Sequence, residues 1–219
     1  MKTSFALLFD MDGVIADTNP AHKETIKKFC DRYDIEVSNE FLEKHIYGRT
    51  NKEWIPELFN HQLSAEEVEN FGDEKEAMFR EYYKDDLKPV PGLLHFLAHM
   101  KEEGVPMVVA TSAPGENADF ILNGLHIRSY FKSVLDSSDV DKGKPEPEVY
   151  LKAAASIGFK PEDCVVLEDS LAGVKAGKNA GCKVIGITTT HTREELSNCD
   201  LVITDFNTLQ VKDLQNLFD

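Results

Sequence analysis

Two acidic side chains stand directly after the first apolar run of the chain. The run FALLF leads into Asp10-Met11-Asp12, and a third acid, Asp17, follows shortly after. Side chains of an extended chain alternate between two sides, so Asp10 and Asp12 point the same way and their charges repel each other. Such a pair indicates a bound cation or a chemical role.

Other polar side chains follow further apolar runs or stand just before a predicted helix. They are Thr111 and Ser112 after MVVA, Lys142 and Lys144 in the segment DKGKPEP, and Glu168, Asp169 and Ser170 after CVVL. In an open parallel sheet, ligands bind beyond the carboxyl ends of the strands. We therefore expect these groups and the two acids after FALLF to meet at one crevice.

Four carboxylates would be crowded in that crevice, from Asp10, Asp12, Glu168 and Asp169. Clustered negative charges need a cation, and a set of oxygen ligands suits Mg²⁺, which also keeps places for water and a substrate phosphate. With Mg²⁺ and one lysine, the crevice would bind a phosphoryl group. Lys142 and Lys144 both fit the loop that would supply the lysine.

The elements that would position these groups are short apolar runs alternating with amphipathic stretches, which is typical of a parallel sheet wrapped by helices. We predict strands at 5–9, 107–110, 133–135, 164–167, 183–187 and 201–203, and helices at 92–103, 117–125, 147–157 and 171–180. The strands are continuously apolar, so both faces of the sheet should be covered. Gly104, Gly158 and Gly181 should end three of the helices.

Residues from about 19 to 88 contain no convincing strand but show helical periodicity, with a capping-box pattern at Ser64. We predict an α/β fold in which a Rossmann-like core, residues 1–15 and 91–219, carries a helical cap domain, residues 16–90, inserted after the first strand. Five aromatic residues are expected in the small core of the cap: Trp54, Phe71, Phe79, Tyr82 and Tyr83.

Composition excludes several classes of function. The net charge of −15 and pI near 4.9 argue against a nucleic-acid surface, which is held mainly by Lys and Arg. No apolar run is long enough to span a bilayer. The four cysteines show no C-x-x-C spacing, which favours free thiols in a reducing compartment. We expect a soluble cytoplasmic protein that binds neither membranes nor nucleic acid.

The motifs taken together resemble the haloacid dehalogenase (HAD) superfamily of phosphotransferases. Those that carry the resemblance, in chain order, are Asp10-x-Asp12-Gly13-Val14, Thr111, Gly143-Lys144-Pro145 and Glu168-Asp169-Ser170-x-x-Gly173. The helical insert, with Asp17-Thr18 and His22, is similar to the β-phosphoglucomutase-like branch. The resemblance covers essentially the whole chain, and it favours Lys144 over Lys142 as the phosphate lysine.

The resemblance implies roles for individual residues. Asp10 would be the nucleophile that forms an aspartyl-phosphate, and Asp12 the general acid and then base. Thr111 would hydrogen-bond a phosphoryl oxygen, and Lys144 would neutralise charge. The implied Mg²⁺ ligands are the Asp10 carboxylate, the Asp12 carbonyl and Asp169, with Glu168 beside them. The implied substrate-binding residues are Thr18, His22, Gly48, Arg49, Ser112 and Ala113.

The resemblance implies an Mg²⁺-dependent phosphatase, a monomer by default, that acts on a small phosphorylated metabolite, with a sugar phosphate favoured. A sugar phosphomutase of the β-phosphoglucomutase type is the alternative. In those mutases a lysine directly precedes a glycine in the corresponding segment of the cap domain, whereas Tyr47 precedes Gly48 in this chain. Arg49 still provides one cationic donor in this segment. The absence of the lysine therefore weakens the hypothesis of a mutase but leaves it open.

Interpretations in which the protein has no catalytic activity fit the sequence less well. Asp12-Gly13 could be an ordinary turn, Asp169-Ser170 a helix cap, Thr18 the cap of the first insert helix, and His22 a hinge or cap residue. A phosphorylated receiver-like module would be shorter and would lack the insert. A catalytically silent relative would be expected to lack one of the four residues Asp10, Asp12, Lys144 and Asp169, and all are present. His95 and His99 have helical spacing but no third metal ligand nearby, which favours a solvated helix face.

Overall fold

The structure is a computed structural model that describes residues 4–46 and 50–219. The described chain divides into two compact units. One runs from Thr18 to Asp86, and the other is formed by the chain up to Asp17 together with Leu87–Asp219. That the two units are separate domains, with the boundaries given above, stays a prediction.

The regular secondary structure in the described part of the unit Thr18–Asp86 is helical. Its helices are α1 (Asn19–Arg32), α2 (Asn39–Phe41), α3 (Asn51–Leu58) and α4 (Ala65–Tyr83), with a π-helical turn at Leu42–Ile46. The capping box predicted at Ser64 is confirmed, because the Ser64 side chain accepts a hydrogen bond from the Glu67 backbone N–H and the Glu67 carboxylate accepts one from the Ser64 backbone N–H.

The aromatic core predicted for this unit is confirmed for some residues and wrong for one. Trp54 and Phe79 are fully buried, and Phe71 packs against the apolar cluster of the unit. Tyr82, however, is 52% exposed in the last turn of α4. Its ring faces solvent and the Lys28 ammonium, whose Nζ lies 4.8 Å from the ring centroid.

The other unit contains a six-stranded sheet in which every adjacent pair of strands is parallel. The strands are β1 (Ala6–Phe9), β2 (Met107–Ala110), β3 (Ser133–Leu135), β4 (Cys164–Glu168), β5 (Lys183–Ile187) and β6 (Leu201–Ile203), in the spatial order β3-β2-β1-β4-β5-β6. All six predicted strands are confirmed, and only the first start and the fourth end differ, each by one residue. The chain passes from β1 to β2 and β3, then returns to the far side of β1, so the order reverses beside β1 and β4. Ligands of open parallel sheets bind at such a reversal.

Helices cover the sheet, as the continuous apolar runs predicted. They are α5 (Leu93–Glu102), α6 (Gly115–Gly124), α7 (Glu148–Ser156), α8 (Leu171–Ala180) and the short α9 (Val211–Gln215), with 3₁₀ turns at Arg128–Tyr130, Ser137–Asp139 and Pro161–Asp163. The sequence did not predict α9, which is too short for a periodic pattern. His95 and His99 lie on the exposed face of α5, as expected. None of the helices in the described ranges is long and apolar enough to cross a membrane.

Strand β1 shows why the runs are apolar without alternation. Leu7 and Phe9 join the apolar cluster that contains residues of α5 and α6. Ala6 and Leu8, which point to the other face, join the cluster that contains residues of α7 and α8. Each side chain of β1 is fully buried. Asp10 is therefore the first polar residue after the apolar residues of β1, and it lies at the carboxyl end of this central strand.

Candidate active site

Asp10 lies at the carboxyl end of β1, between the ends of β2 and β4. Its backbone N–H donates to the Leu167 carbonyl at 3.0 Å, which continues the ladder between β1 and β4 by one residue. The side chain is buried, and burial raises the pKa of the Asp10 carboxyl well above its usual range. The neighbouring ammonium of Lys144 opposes that rise.

Lys144 is the lysine that reaches the acids. Its Nζ lies 2.6 Å from Asp10 Oδ1 and 2.7 Å from Glu168 Oε1, and 4.9 Å from the centroid of the Tyr150 ring. Burial alone would lower the pKa of this ammonium, but the two carboxylates raise it, so the lysine is charged. Lys142, the alternative, is exposed, and its backbone N–H donates to the Glu148 carboxylate.

Glu168 connects the lysine to the start of α8. Its Oε1 accepts from Lys144 and from the Tyr150 hydroxyl at 2.8 Å, and its Oε2 accepts from the backbone N–H groups of Asp169 and Ser170 and from the Ser170 hydroxyl. Burial would raise the pKa of this carboxyl, but Lys144 and these donors hold it below its usual value. Glu168 is thus an ionised, fully bonded carboxylate.

Three buried carboxylates converge here, those of Asp10, Glu168 and Asp169. One oxygen from each lies within 4.8 Å of the others. Burial, and then the charge of Glu168, raise the pKa of Asp169 to about 7. Asp12 adds to the repulsion at both aspartates. Because one ammonium faces several acids, and all donors are oxygens, the site fits a hard cation such as Mg²⁺.

The end of β2 contributes Thr111, which is buried. Its Oγ1 accepts the backbone N–H of Ala113 at 3.0 Å, and its own N–H donates to the Leu135 carbonyl. Ser112 is exposed and Ala113 is half-buried. The strand register brings Thr111 to the same edge of the sheet as Asp10, since Phe9 pairs with Val109.

Gly173 leaves room for the Glu168 carboxylate. A Cβ at this position would lie 1.6 Å from Glu168 Oε1, so any side chain would displace the acid. The Gly173 backbone N–H donates to Ser170 Oγ at 3.0 Å, which is the side-chain cap of α8. The spacing Ser170-x-x-Gly173 therefore serves the acid cluster as well as the helix.

Thr18 belongs to the helical unit and does not cap α1 as the sequence suggested. It occupies the N-cap position and is buried, but its side chain forms no cap hydrogen bond. Its backbone is already in the right-handed helical region, whereas a capping side chain needs an extended residue. The Thr18 carbonyl accepts from the His22 backbone N–H at 2.9 Å.

His22 forms part of a polar cluster inside the helical unit. Its ring stacks on Phe79 with centroids 3.8 Å apart, and its Nδ1 lies 2.9 Å from Lys75 Nζ. Lys75 also donates to Glu76, which accepts from the Asn51 side-chain amide. Whether His22 and Thr18 bind substrate stays a prediction. Gly48 and Arg49, the other predicted residues of this unit, lie with Tyr47 outside the described residues.

Sequence reasoning missed two residues that contact the acids, Tyr150 and Thr190, and one that contacts the turn after Asp12, Thr189. Tyr150 donates to Glu168, Thr190 donates to Asp169 Oδ2, and Thr189 donates to the Gly13 carbonyl at 2.6 Å. Tyr150 lies on α7 with the buried apolar residues Val149, Ala153 and Ala154, a pattern that indicates core packing. Thr189 and Thr190 are the second and third residues after β5, and Thr111 is the first residue after β2. Their position beyond the carboxyl end of a strand is the sequence signal that could have identified them.

Comparison with known proteins indicates the same family as the sequence motifs. Residues 7–187 match the family model described as haloacid dehalogenase-like hydrolase. Over 184 residues the chain is 34% identical to a phosphorylated carbohydrates phosphatase of Thermotoga maritima, covering 82% of this chain and 83% of that protein. Over 191 residues it is 30% identical to β-phosphoglucomutase of Bacillus subtilis, covering 83% of this chain and 82% of that protein.

A solved structure shares the fold. A HAD hydrolase of family IA, variant 3, from Entamoeba histolytica superimposes with a TM-score of 0.91 at 28% identity, covering 98% of this chain and 99% of that one. The resemblance predicted from the motifs, and the predicted class of phosphoric monoester hydrolase, are both confirmed. The chain belongs to the haloacid dehalogenase-like hydrolase family.

Proposed function

We propose that this protein is a phosphatase that hydrolyses a small phosphorylated metabolite, with a sugar phosphate favoured, through an aspartyl-phosphate. The observation that carries the proposal is the buried pair at the end of β1, where Lys144 Nζ lies 2.6 Å from Asp10 Oδ1. A carboxylate held by an ammonium can attack phosphorus while the positive charge balances the incoming phosphoryl group. A relative named for phosphorylated carbohydrates supports the substrate class.

The residues of this chain divide the chemistry among them. Asp10 provides the attacking oxygen, and Lys144 stabilises the negative charge of the phosphoryl oxygens. Asp12 donates a proton to the leaving oxygen and later accepts one from the attacking water. Thr111 already accepts the Ala113 N–H, so its hydroxyl hydrogen is directed elsewhere and can donate to a phosphoryl oxygen.

Asp10 and Asp169, with the Asp12 carbonyl, are the groups that would hold Mg²⁺. The geometry favours Asp169 over Glu168 as a ligand, because both Glu168 oxygens already accept bonds from Lys144, Tyr150 and the start of α8. Glu168 then serves as the anchor of Lys144. When bound, Mg²⁺ would supply positive charge to the clustered carboxylates and the substrate phosphate.

The experiment is phosphate release from sugar phosphates, nucleotides, phosphoglycolate and pyrophosphate, with Mg²⁺ or with excess chelator, for wild type and Asp10→Asn. We expect hydrolysis of at least one sugar phosphate, no hydrolysis in chelator, and a loss in the variant on the order of 10³-fold or more. Circular dichroism and the melting temperature should show that the variant is folded. Full activity of Asp10→Asn, or of wild type in chelator, would disprove the mechanism.

We also propose a cytoplasmic monomer. The free state of Cys30, Cys164, Cys182 and Cys199 supports a reducing compartment. The acidic composition agrees with a small-molecule substrate rather than a nucleic acid. Sedimentation of the purified protein tests the oligomeric state directly.

A further inference from the structure

The loop that follows β5 reaches both acid-bearing turns of the site. Strands β4 and β5 are neighbours, with Glu168 paired to Gly186, so the loop leaves the sheet beside Asp169. It begins at Thr188, whose backbone N–H donates to the Ile203 carbonyl at 3.0 Å and ties the loop to β6. The next two residues, Thr189 and Thr190, are threonines as well.

The two hydroxyls have different acceptors. Thr190 Oγ1 donates to Asp169 Oδ2, the carboxylate proposed to hold Mg²⁺. Thr189 Oγ1 donates to the Gly13 carbonyl at 2.6 Å. Gly13 follows Asp12, has a left-handed backbone (φ +78°), and donates its own N–H to the Ala16 carbonyl at 2.7 Å. The turn that carries Asp12 is therefore held by two hydrogen bonds at Gly13. One is made within the turn, to Ala16, and the other comes from Thr189 in the loop after β5.

Ordinary structural roles do not account for these bonds. Thr192, in the same stretch, caps a turn with Glu195, as threonines at chain reversals commonly do. Thr189 and Thr190 instead bond to groups 176 and 21 residues away. Thr190 is exposed as a residue, whereas the Asp169 carboxylate to which its hydroxyl donates is buried.

We propose that Thr189 and Thr190 are positioning residues of this active site. Thr190 holds one oxygen of Asp169 and so orients the carboxylate proposed to bind the cation. Thr189 holds the turn that aims Asp12 at the leaving oxygen. The inference rests on the proposed function. It assigns separate effects to the two residues, because one supports a metal ligand and the other supports the proton donor.

Calorimetric titration with MgCl₂ tests Thr190 without using turnover. Removing a group that orients a metal ligand typically weakens metal binding by about 10–100-fold. We expect that loss for Thr190→Val, which keeps the shape and removes the hydroxyl, and near wild-type affinity for Thr190→Ser. Cooperative thermal unfolding of the metal-free variants should show that each is folded, so that a lost affinity is not a lost fold. Thr204→Val, at an exposed position after β6, serves as the matched control and should bind Mg²⁺ normally.

Steady-state kinetics with saturating Mg²⁺ tests Thr189. We expect Thr189→Val to lower kcat by about 10-fold with KM and Mg²⁺ affinity unchanged, since a misaimed general acid loses part of its effect. Thr189→Ser should restore kcat.

Wild-type Mg²⁺ affinity in Thr190→Val, or wild-type kcat in Thr189→Val, would overturn the corresponding assignment. Failure of the proposed function would be seen instead in the wild-type protein, as absence of Mg²⁺-dependent hydrolysis.

Discussion

Lys144 and Lys142 are two residues apart in one loop, but the loop places their side chains in different environments. Lys144 is held between Asp10 and Glu168, whereas Lys142 is exposed. Removing Lys144 leaves two buried carboxylates without their ammonium, which costs about 3–5 kcal/mol in typical buried pairs. We expect Lys144→Ala to lose nearly all activity and some stability.

Lys142→Ala is the matched control for that prediction. It removes the same side chain from the same loop, but at a position outside the acid cluster. Its rate and melting temperature should stay close to wild type. Measurements of kcat and of thermal unfolding for both variants show which lysine serves the site. A greater loss of rate in Lys142→Ala than in Lys144→Ala would refute the assignment of Lys144 as the phosphate lysine.

Asp169 makes the stability of the metal-free protein depend on pH. Its pKa is raised to about 7 in the folded protein by burial and by Glu168, while an unfolded aspartate has a pKa of about 4. Between these values the folded state binds more protons than the unfolded state. Stability therefore falls as pH rises from about 4 to about 7, and the loss is complete above pH 7.

Thermal unfolding in chelator, from pH 5 to pH 8, measures this effect. The melting temperature of wild type should decline more steeply than that of Asp169→Asn, which has no carboxyl to titrate at that position. Added Mg²⁺ should stabilise wild type more at pH 8 than at pH 5, because metal binds the deprotonated ligand. Parallel curves for the two proteins would contradict the raised pKa.

Helix α8 is coupled to the site through Gly173, where its first turn meets Glu168. A Cβ there would lie 1.6 Å from Glu168 Oε1 and 1.9 Å from its carboxyl carbon. The acid must move, and Lys144 loses one of its two anchors. We expect Gly173→Ala to lower the free energy of unfolding by about 1–3 kcal/mol, as overpacking does, and to reduce kcat.

Gly72→Ala provides the comparison within α4. The nearest atom to a new Cβ there is Asn51 Cβ at 3.5 Å, an ordinary contact. Alanine is favoured over glycine in a helix interior by about 1 kcal/mol, so this variant should be as stable as wild type or more so. Chemical denaturation of both variants gives the two free energies. Equal effects at positions 72 and 173 would show that the contact with Glu168 does not matter.

Charge across the whole molecule bears on the choice between phosphatase and mutase. The chain has a net charge of −15, and residues 16–90 have 18 acidic against 11 basic residues, a net −7. A mutase must retain a bisphosphorylated intermediate, which needs cationic donors for its second phosphate. We therefore expect water to take the phosphoryl group in preference to a sugar.

Phosphorus NMR separates the two reactions. The protein is incubated with β-glucose 1-phosphate, Mg²⁺ and a trace of glucose 1,6-bisphosphate. If that sugar phosphate is accepted, free phosphate should appear faster than glucose 6-phosphate. Glucose 6-phosphate that forms much faster than free phosphate would show that the mutase hypothesis is correct.

The sequence by itself determined the sheet and the main acids of the site. The apolar runs predicted all six strands, because a strand buried on both faces must be apolar at every position. Asp10 and Asp169 could be chosen because polar residues at strand ends gather at one edge of a parallel sheet. Lys144 was preferred to Lys142 through the family resemblance. Each of these inferences uses only residues that are neighbours in the chain.

Tertiary structure alone decided which side chains hold those acids in place. Tyr150 on α7 and Thr190 after β5 bond to carboxylates at the carboxyl end of a different strand, β4. Thr189 bonds to a turn at the opposite end of the chain. Thr18 failed to cap α1 because its backbone was already helical. Strand order and backbone angles set these contacts, and neither leaves a periodic pattern in the residues themselves.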